Sequence, residues 1–455
     1  MRRREFVSGL AGTLGVGKAI GAIDCDCGTR LPQNAGGTGP QKQPPPCDPT
    51  ENPWITEVTR WVGSRARVSN MKVLTVFVPS GPPDRPYVLV KLETNVGLVG
   101  WGEATLEGKA NAVAGCLHDM RDYIIGSDPM QVEHHWQSMY VHSFYRGGPV
   151  IGSAIAGIDQ ALWDVRGKIL GLPVYKLLGG PFDSRGVRGY YHAGGQTKEE
   201  LARVRETAVS ERITCLKMGP GARTFEWLDT NAKISCVIRN LQMAREVLGP
   251  DIDIAVDFHA KPSPTVASVI LKEIEPLNLL FVEEPCPPEN IKAMARISKR
   301  STTPLATGER LITSYGCREY IEMGVVDILQ PDINHVGGIS ALWKVAAMAE
   351  ASGIAMAPHS CEGPIGSIAT LHVDAAMPNF LVQETCSGLR PSARDKVWEE
   401  WFGFPVMRMA EGRFPLPQKP GLGIELSEDV LKRFAFSGSR PMTRIFHEDG
   451  SVAEW

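Results

Sequence analysis

The stretch Ala255–Lys261, AVDFHAK, begins like a buried strand and ends on an acid and an imidazole separated by one residue. Side chains two apart on a strand share a face, so Asp257 and His259 are expected to point the same way from the end of that strand. The same texture repeats outward. From about Gly189 the short apolar runs TCLKM, DIAVDF, LLFVEEP, LATGER, VVDILQPD, IAMAPHS and FLVQE alternate with amphipathic helical segments. Strand and helix in alternation predict parallel βαβ units.

The last ionisable residues of these runs are Asp257, Glu283, Glu309, Asp332, His359 and Glu384, at successive intervals of 26, 26, 23, 27 and 25 residues. One βα unit of a closed barrel takes about 25–30 residues. Six consecutive strands therefore end in a group able to coordinate or to move a proton, at the edge where such barrels gather their active sites. The expected fold is α/β, a modified TIM-type (β/α) barrel over residues 191–400.

Upstream, MKVLTVFV and PYVLVKLETNVGLVGWGEA read as an antiparallel meander, and ANAVAGCLHDMRDYIIG and AIAGIDQALWDVRGKILG read as helices stopped by glycine. An N-terminal α+β capping domain is expected over 71–190, and a C-terminal segment over 401–455. The chain opens on RRREFVSGLAG, adjacent arginines before a weakly apolar stretch, the pattern of a twin-arginine export signal over residues 1–22. Such a signal would send the protein to the periplasm; a basic tail on a cytoplasmic protein is the alternative. Residues 23–70, rich in Pro and Gly, read as a linker.

A net charge of −3 argues against a nucleic-acid partner. No apolar run is long enough for a membrane span. The ten cysteines are scattered without paired spacings, so neither a zinc site nor a disulfide framework is expected.

Asp257, Glu283 and Glu309 offer hard oxygen donors from successive strands, the set that Mg²⁺ prefers. For any single one, a helix N-cap or an ion pair would be the ordinary explanation; three at matched spacing argue for a metal. FVEEP offers both Glu283 and Glu284, and spacing does not choose between them. His359 lies four strands beyond His259, so the two face each other across the mouth. Asp332, one strand before His359, is placed to orient its imidazole and strengthen it as a base. His118, His134, His135, His142, His192, His372 and His447 are read as ordinary surface or core residues, and His335 is left undecided. A metal with a histidine on each side suits removal of a proton α to a carboxylate. The metal would stabilise the ene-diolate while the opposite acid protonates a departing β-hydroxyl. The product would tautomerise to a 2-keto-3-deoxy acid.

At these residues the chain resembles the enolase superfamily in its mandelate racemase subgroup, and most closely the acid-sugar dehydratases, with D-galactonate as the leading substrate. VDFHAK, FVEEP, GER, ILQPDINHVGGI, APHSCEGPIG, LVQE and HEDGSVAEW carry the likeness, which runs from Met71 to Trp455. The resemblance implies that Asp257, Glu283 and Glu309 bind Mg²⁺, His259 is the general acid, His359 paired with Asp332 is the base, and Glu384 hydrogen-bonds the intermediate. It implies a capping domain contributing loops around Glu103–Lys109 and Phe144–Pro149, a C-terminal segment that returns to it, and a homo-oligomer. Racemases of the subgroup carry a Lys-x-Lys base; here Lys217 is followed by Gly219, so racemisation is not expected. Thr385–Gly403 has no close match to the galactonate enzymes. Other aldonates or aldarates (gluconate, mannonate) are the alternative substrates, and a sugar-acid-binding barrel without turnover is the alternative class.

Overall fold

The computed structural model describes residues 66–82, 85–221, 231–447 and 449–454. The expected export signal lies outside the described residues, as does all of the linker reading up to residue 65. The strand β1 (Val68–Val76) starts slightly before the expected Met71, because Val68 is already fully buried and paired with Thr94. It joins β2 (Tyr87–Thr94) and β3 (Val99–Glu103) in an antiparallel sheet ordered β1-β2-β3. The β2–β3 turn closes at Gly97, whose φ of +82° is open to glycine at no steric cost. Helices α1 (Ala110–Ile124), α2 (Val132–Val141) and α3 (Pro149–Leu170) follow. The last of these starts on proline and stops on Gly171 in the left-handed region.

Eight parallel strands then form the barrel. They are β4 (Val187–His192), β5 (Cys215–Met218), β6 (Asp253–Asp257), β7 (Phe281–Glu283), β8 (Leu305–Thr307), β9 (Ile328–Leu329), β10 (Ala355–Met356) and β11 (Gln383–Gly388). Each pairs with the next from β4 to β10. The ring closes because β11 pairs with β4, and Met356 bridges Phe380 just before β11. The run RGYYH in β4 escapes the sequence reading because it carries one small apolar stretch and two arginines nearby. The barrel accordingly begins at Val187, inside the span expected for the cap.

The helices α4 (Lys198–Ser210), α5 (Asn231–Leu248), α6 (Pro264–Ile274), α7 (Ile291–Ser298), α8 (Thr313–Met323), α9 (Gly338–Ala351) and α10 (Pro364–Asp374) alternate with the strands. After β11, α11 (Ala393–Phe402) packs Trp398 and Trp401 edge-on against Tyr87 of the cap. Near the C-terminus, Ala435 bridges Val76, so this segment adds a short edge to the cap sheet. Among the described residues, no helix is long and apolar enough to cross a membrane.

The barrel interior shows why polar groups gather at one end. Tyr190, Cys215, Ala255, Phe281, Ala306, Ile328, Ala357 just after β10 and Val382 just before β11 form a separate buried apolar cluster. Two residues further along, on the same face of each strand path, stand His192, Lys217, Asp257, Glu283, Gly308, Gln330, His359 and Glu384. An apolar plug fills the barrel and a polar ring sits directly above it.

Candidate active site

The polar ring forms the floor of a cavity of about 750 Å³. Its floor is lined by Lys217, Asp257, Glu309, His359 and Glu384, and its roof by Leu106, Glu107 and Pro149 of the cap.

Strand β6 ends at Asp257, and the next turn is folded by Asp257 itself: its Oδ1 accepts the His259 backbone N–H at 2.7 Å. His259 has φ +51°, so it stands beyond the strand, and the expectation of a shared strand face is corrected. The turn, not strand alternation, brings its ring to the cavity, where Nε2 lies 3.9 Å from Glu309 Oε1. Glu309 likewise follows the strand end, after Gly308, where a Cβ would sit 2.5 Å from the Gln330 backbone.

Backbone geometry separates the two acids left open in FVEEP. Glu283 is the last residue of β7 and points into the ring, with Oε2 2.6 Å from Lys217 Nζ. Glu284 has φ +42° and turns away, accepting hydrogen bonds from Arg310 Nε at 3.0 Å and Nη2 at 2.7 Å.

Lys217 stands among carboxylates: Glu283 at 2.6 Å, Glu384 at 2.7 Å and Asp257 at 3.6 Å. Burial opposes its charge, but Glu283 and Glu384 outweigh burial and hold the ammonium protonated well above its ordinary range. Glu384 is pinned on both oxygens. Oε1 accepts from Lys217 and from His192 Nε2, each at 2.7 Å, and Oε2 accepts the Ser360 N–H at 3.0 Å. Burial disfavours its charge; Lys217, His359 and His192 overcome this and keep it ionised. His192, read from sequence as an ordinary residue, thus belongs to the site. The signal that finds it is the two-residue step from buried Tyr190 along β4.

His359 is buried, and its Nδ1 lies 2.7 Å from Asp332 Oδ2. With Asp332 accepting the Nδ1 proton, Nε2 faces the cavity, 3.5 Å from Glu309 and 3.8 Å from Glu384. Burial works against the imidazolium, but Glu384, Asp332 and Glu309 raise its proton affinity well above the ordinary histidine range.

The carboxylates fit a hard divalent ion. Glu283 is fully buried and neither oxygen receives a well-directed hydrogen bond. Glu309 is pushed well above the carboxylate range by burial first, then by repulsion from Glu284, Glu283 and Asp257, against the opposing pull of His359. Crowded oxygens without directed donors are the state that a bound cation relieves.

Around this core, His335 lines the roof side of the cavity, while His135 and His372 are buried structural residues. Glu103, named with the cap loop, is not a substrate group. It accepts the Ile365 and Gly366 N–H groups at 3.0 Å each, at the start of α10, and so ties the cap to the barrel. The side chains of Phe144 and Tyr145 are exposed.

Comparison with known proteins agrees with this architecture. Residues 79–179 match the mandelate racemase/muconate lactonizing enzyme N-terminal domain, and residues 199–430 match the enolase C-terminal domain-like family. A D-galactonate dehydratase of Ralstonia pickettii (strain 12J) is 37% identical over 388 residues, covering 85% of this chain and 100% of that protein. One from Cronobacter sakazakii (strain ATCC BAA-894) is 36% identical with the same coverage. A solved enolase structure from Pantoea ananatis, with bound D-gluconate and Mg, is 30% identical with a TM-score of 0.76, covering 86% of this chain and 100% of its own.

Proposed function

The chain belongs to the enolase superfamily in its mandelate racemase/muconate lactonizing enzyme branch, and on that premise we propose that it is an Mg²⁺-dependent acid-sugar dehydratase, with D-galactonate as the leading substrate. The observation that carries the reading is the Asp332–His359 pair facing the carboxylate set, with His259 at its other side.

Asp257, Glu283 and Glu309 would hold Mg²⁺, whose charge makes the proton α to the substrate carboxylate removable. His359 takes that proton from C2 on Nε2, its other nitrogen fixed by Asp332. Lys217, between Glu283 and Glu384, adds positive charge beside the substrate carboxylate. Gly219, two residues on, has no side chain to serve as a base. Glu384, locked by three donors, presents a fixed negative wall against which His359 charges up. His259 gives a proton to the C3 hydroxyl as it leaves, and the resulting enol becomes the 2-keto-3-deoxy acid.

The test is a panel of aldonic acids incubated with the purified chain and Mg²⁺, scored for 2-keto-3-deoxy product. Turnover of D-galactonate, lost in both His259→Asn and His359→Asn, supports the assignment. Turnover of another acid only would keep the mechanism and change the substrate. No product across the panel, with Mg²⁺ bound, would leave the barrel as a binding protein.

A further inference from the structure

We propose that the paired carboxyl groups of Glu107 and Glu362, at the cap end of the cavity, select an uncharged polyol terminus and reject a second carboxylate, making this an aldonate enzyme and not an aldarate enzyme. The inference rests on the acid-sugar dehydratase reading and sharpens its substrate class.

At the floor, Lys217 and the Mg²⁺ that Asp257, Glu283 and Glu309 would hold offer positive charge to one carboxylate. A six-carbon acid anchored there extends its far end toward the cap, and only the roof can decide what that end is. Two acids meet at this roof. Glu107 comes from the cap loop after β3, and Glu362 from the loop after β10; Glu362 is 2% exposed. Their shared cation is Arg85, with Nη2 2.6 Å from Glu107 Oε1 and Nε 3.6 Å from Glu362 Oε2. Arg85 also donates from Nη1 to the Cys361 carbonyl at 2.6 Å. Its charge is therefore spent on the two acids and the backbone. His335 stands behind the pair, with Nε2 3.5 Å from Glu362 and 3.9 Å from Glu107, and Nδ1 3.0 Å from Ser153 Oγ.

Burial penalises both carboxylates, which lie with His335 within 4.8 Å of one another; Glu362 and Arg85 hold Glu107 ionised, while burial and the Glu107 charge push Glu362 well above the carboxylate range. The pair thus presents one proton donor and several acceptor oxygens, which suit hydroxyl groups. Among the described residues that line the cavity, Arg85 is already paired with both acids, so a second substrate carboxylate would meet the charge of Glu107. The other arginines lining the cavity among the described residues are also engaged. Arg310 is held by Glu284 and by Glu454, and Arg394 lies 3.7 Å from Asp395 and over the Trp398 ring. Lys109 stands exposed at the rim, where water screens it. Juxtaposed like charges at a buried side chain such as Glu362 reject a ligand.

The experiment compares matched acids that differ only at the far carbon: D-galactonate with galactarate, and D-gluconate with D-glucarate. The full chain with saturating Mg²⁺ is expected to favour each monoacid by roughly 100-fold or more in kcat/KM. Diacid turnover within roughly 3-fold of the monoacid overturns the proposal. If neither class turns over, the dehydratase reading fails separately, and calorimetric binding of the four acids to the Mg²⁺-loaded chain decides the selectivity by the same ratio. A Glu107→Gln, Glu362→Gln double variant leaves Arg85 without its acids. It is expected to raise diacid kcat/KM relative to monoacid by roughly 10-fold or more, through KM. An unchanged ratio in the double variant, folded by circular dichroism, overturns the proposal; if that variant does not fold, the wild-type ratio is decisive on its own.

Discussion

Asp332 uses its two oxygens for two tasks: Oδ1 accepts the Asn334 N–H at 2.6 Å and Oδ2 accepts from His359 at 2.7 Å. The same residue thus caps the short helix that follows it and holds the His359 ring. Replacing it by asparagine leaves one acceptor and one donor where two acceptors are needed. Asp332→Asn is expected to lower kcat by roughly 10²-fold or more with a much smaller effect on KM, because the imidazole loses its orientation and part of its basicity. Steady-state kinetics on the preferred aldonate would check this; a change confined to KM would count against the role. Such residues are unevenly legible in the sequence. His259 and His359 were visible because each lies next to another chemical group at a strand end. His192 was not, since only closure of β11 onto β4 brings it to Glu384, 192 residues away.

At the level of elements, α3 is the joint between the cap and the barrel. It is buried on nearly every side, and its polar residues each bind a different partner. Asp159 accepts from Ser340 at the start of α9, Gln160 bonds the Glu103 backbone and Asn334, and Asp164 accepts the Trp101 and Leu422 N–H groups. The helix packs so closely on β3 that a Cβ at Gly102 would lie 2.0 Å from the Gly157 carbonyl oxygen. Gly102→Ala is expected to cost at least about 3 kcal/mol, read as a lowered denaturation midpoint. The period of this helix was legible in AIAGIDQALWDVRGK, but the all-round burial was not, because the helix meets the cap sheet on one side and the barrel helices on the other.

A second element carries a pH dependence. His372 in α10 is fully buried, accepts the Tyr175 N–H at 3.1 Å on Nδ1 and donates from Nε2 to the Leu422 carbonyl. Burial lowers its pKa from 6.5 to about 4, the Leu422 carbonyl opposing. A depressed histidine binds its proton first in the unfolded chain. Its stabilising contribution is therefore complete above pH ~6.5, falls as pH drops toward ~4, and reaches a loss of up to about 3 kcal/mol. Denaturant unfolding at pH 7.5 and pH 5 should show about 2 kcal/mol of this loss in the wild type and a flatter difference in His372→Gln.

For the whole molecule, the cavity exists only where cap and barrel meet, and its floor concentrates negative charge. A cation bound there stabilises the folded state, by about 2.7 kcal/mol at a hundredfold excess over Kd. Thermal unfolding should shift upward with Mg²⁺ and back with EDTA, and Glu283→Gln should blunt the shift. An identical Mg²⁺ response in that variant would place the ion elsewhere.

The sequence by itself determined the periodicity of the barrel and the identity of the strand-end acids and histidines. Both follow from local facts, a βα unit of near-constant length and a charged residue where an apolar run stops. What the tertiary structure alone decided was direction and company. It turned Glu283 into the ring and Glu284 out to Arg310, delivered His259 by a turn beyond the strand, and joined Arg85 and Glu107 of the cap to His335 and Glu362 of the barrel. These outcomes depend on backbone angles at single residues and on contacts between segments hundreds of residues apart, and no local pattern in the chain encodes either.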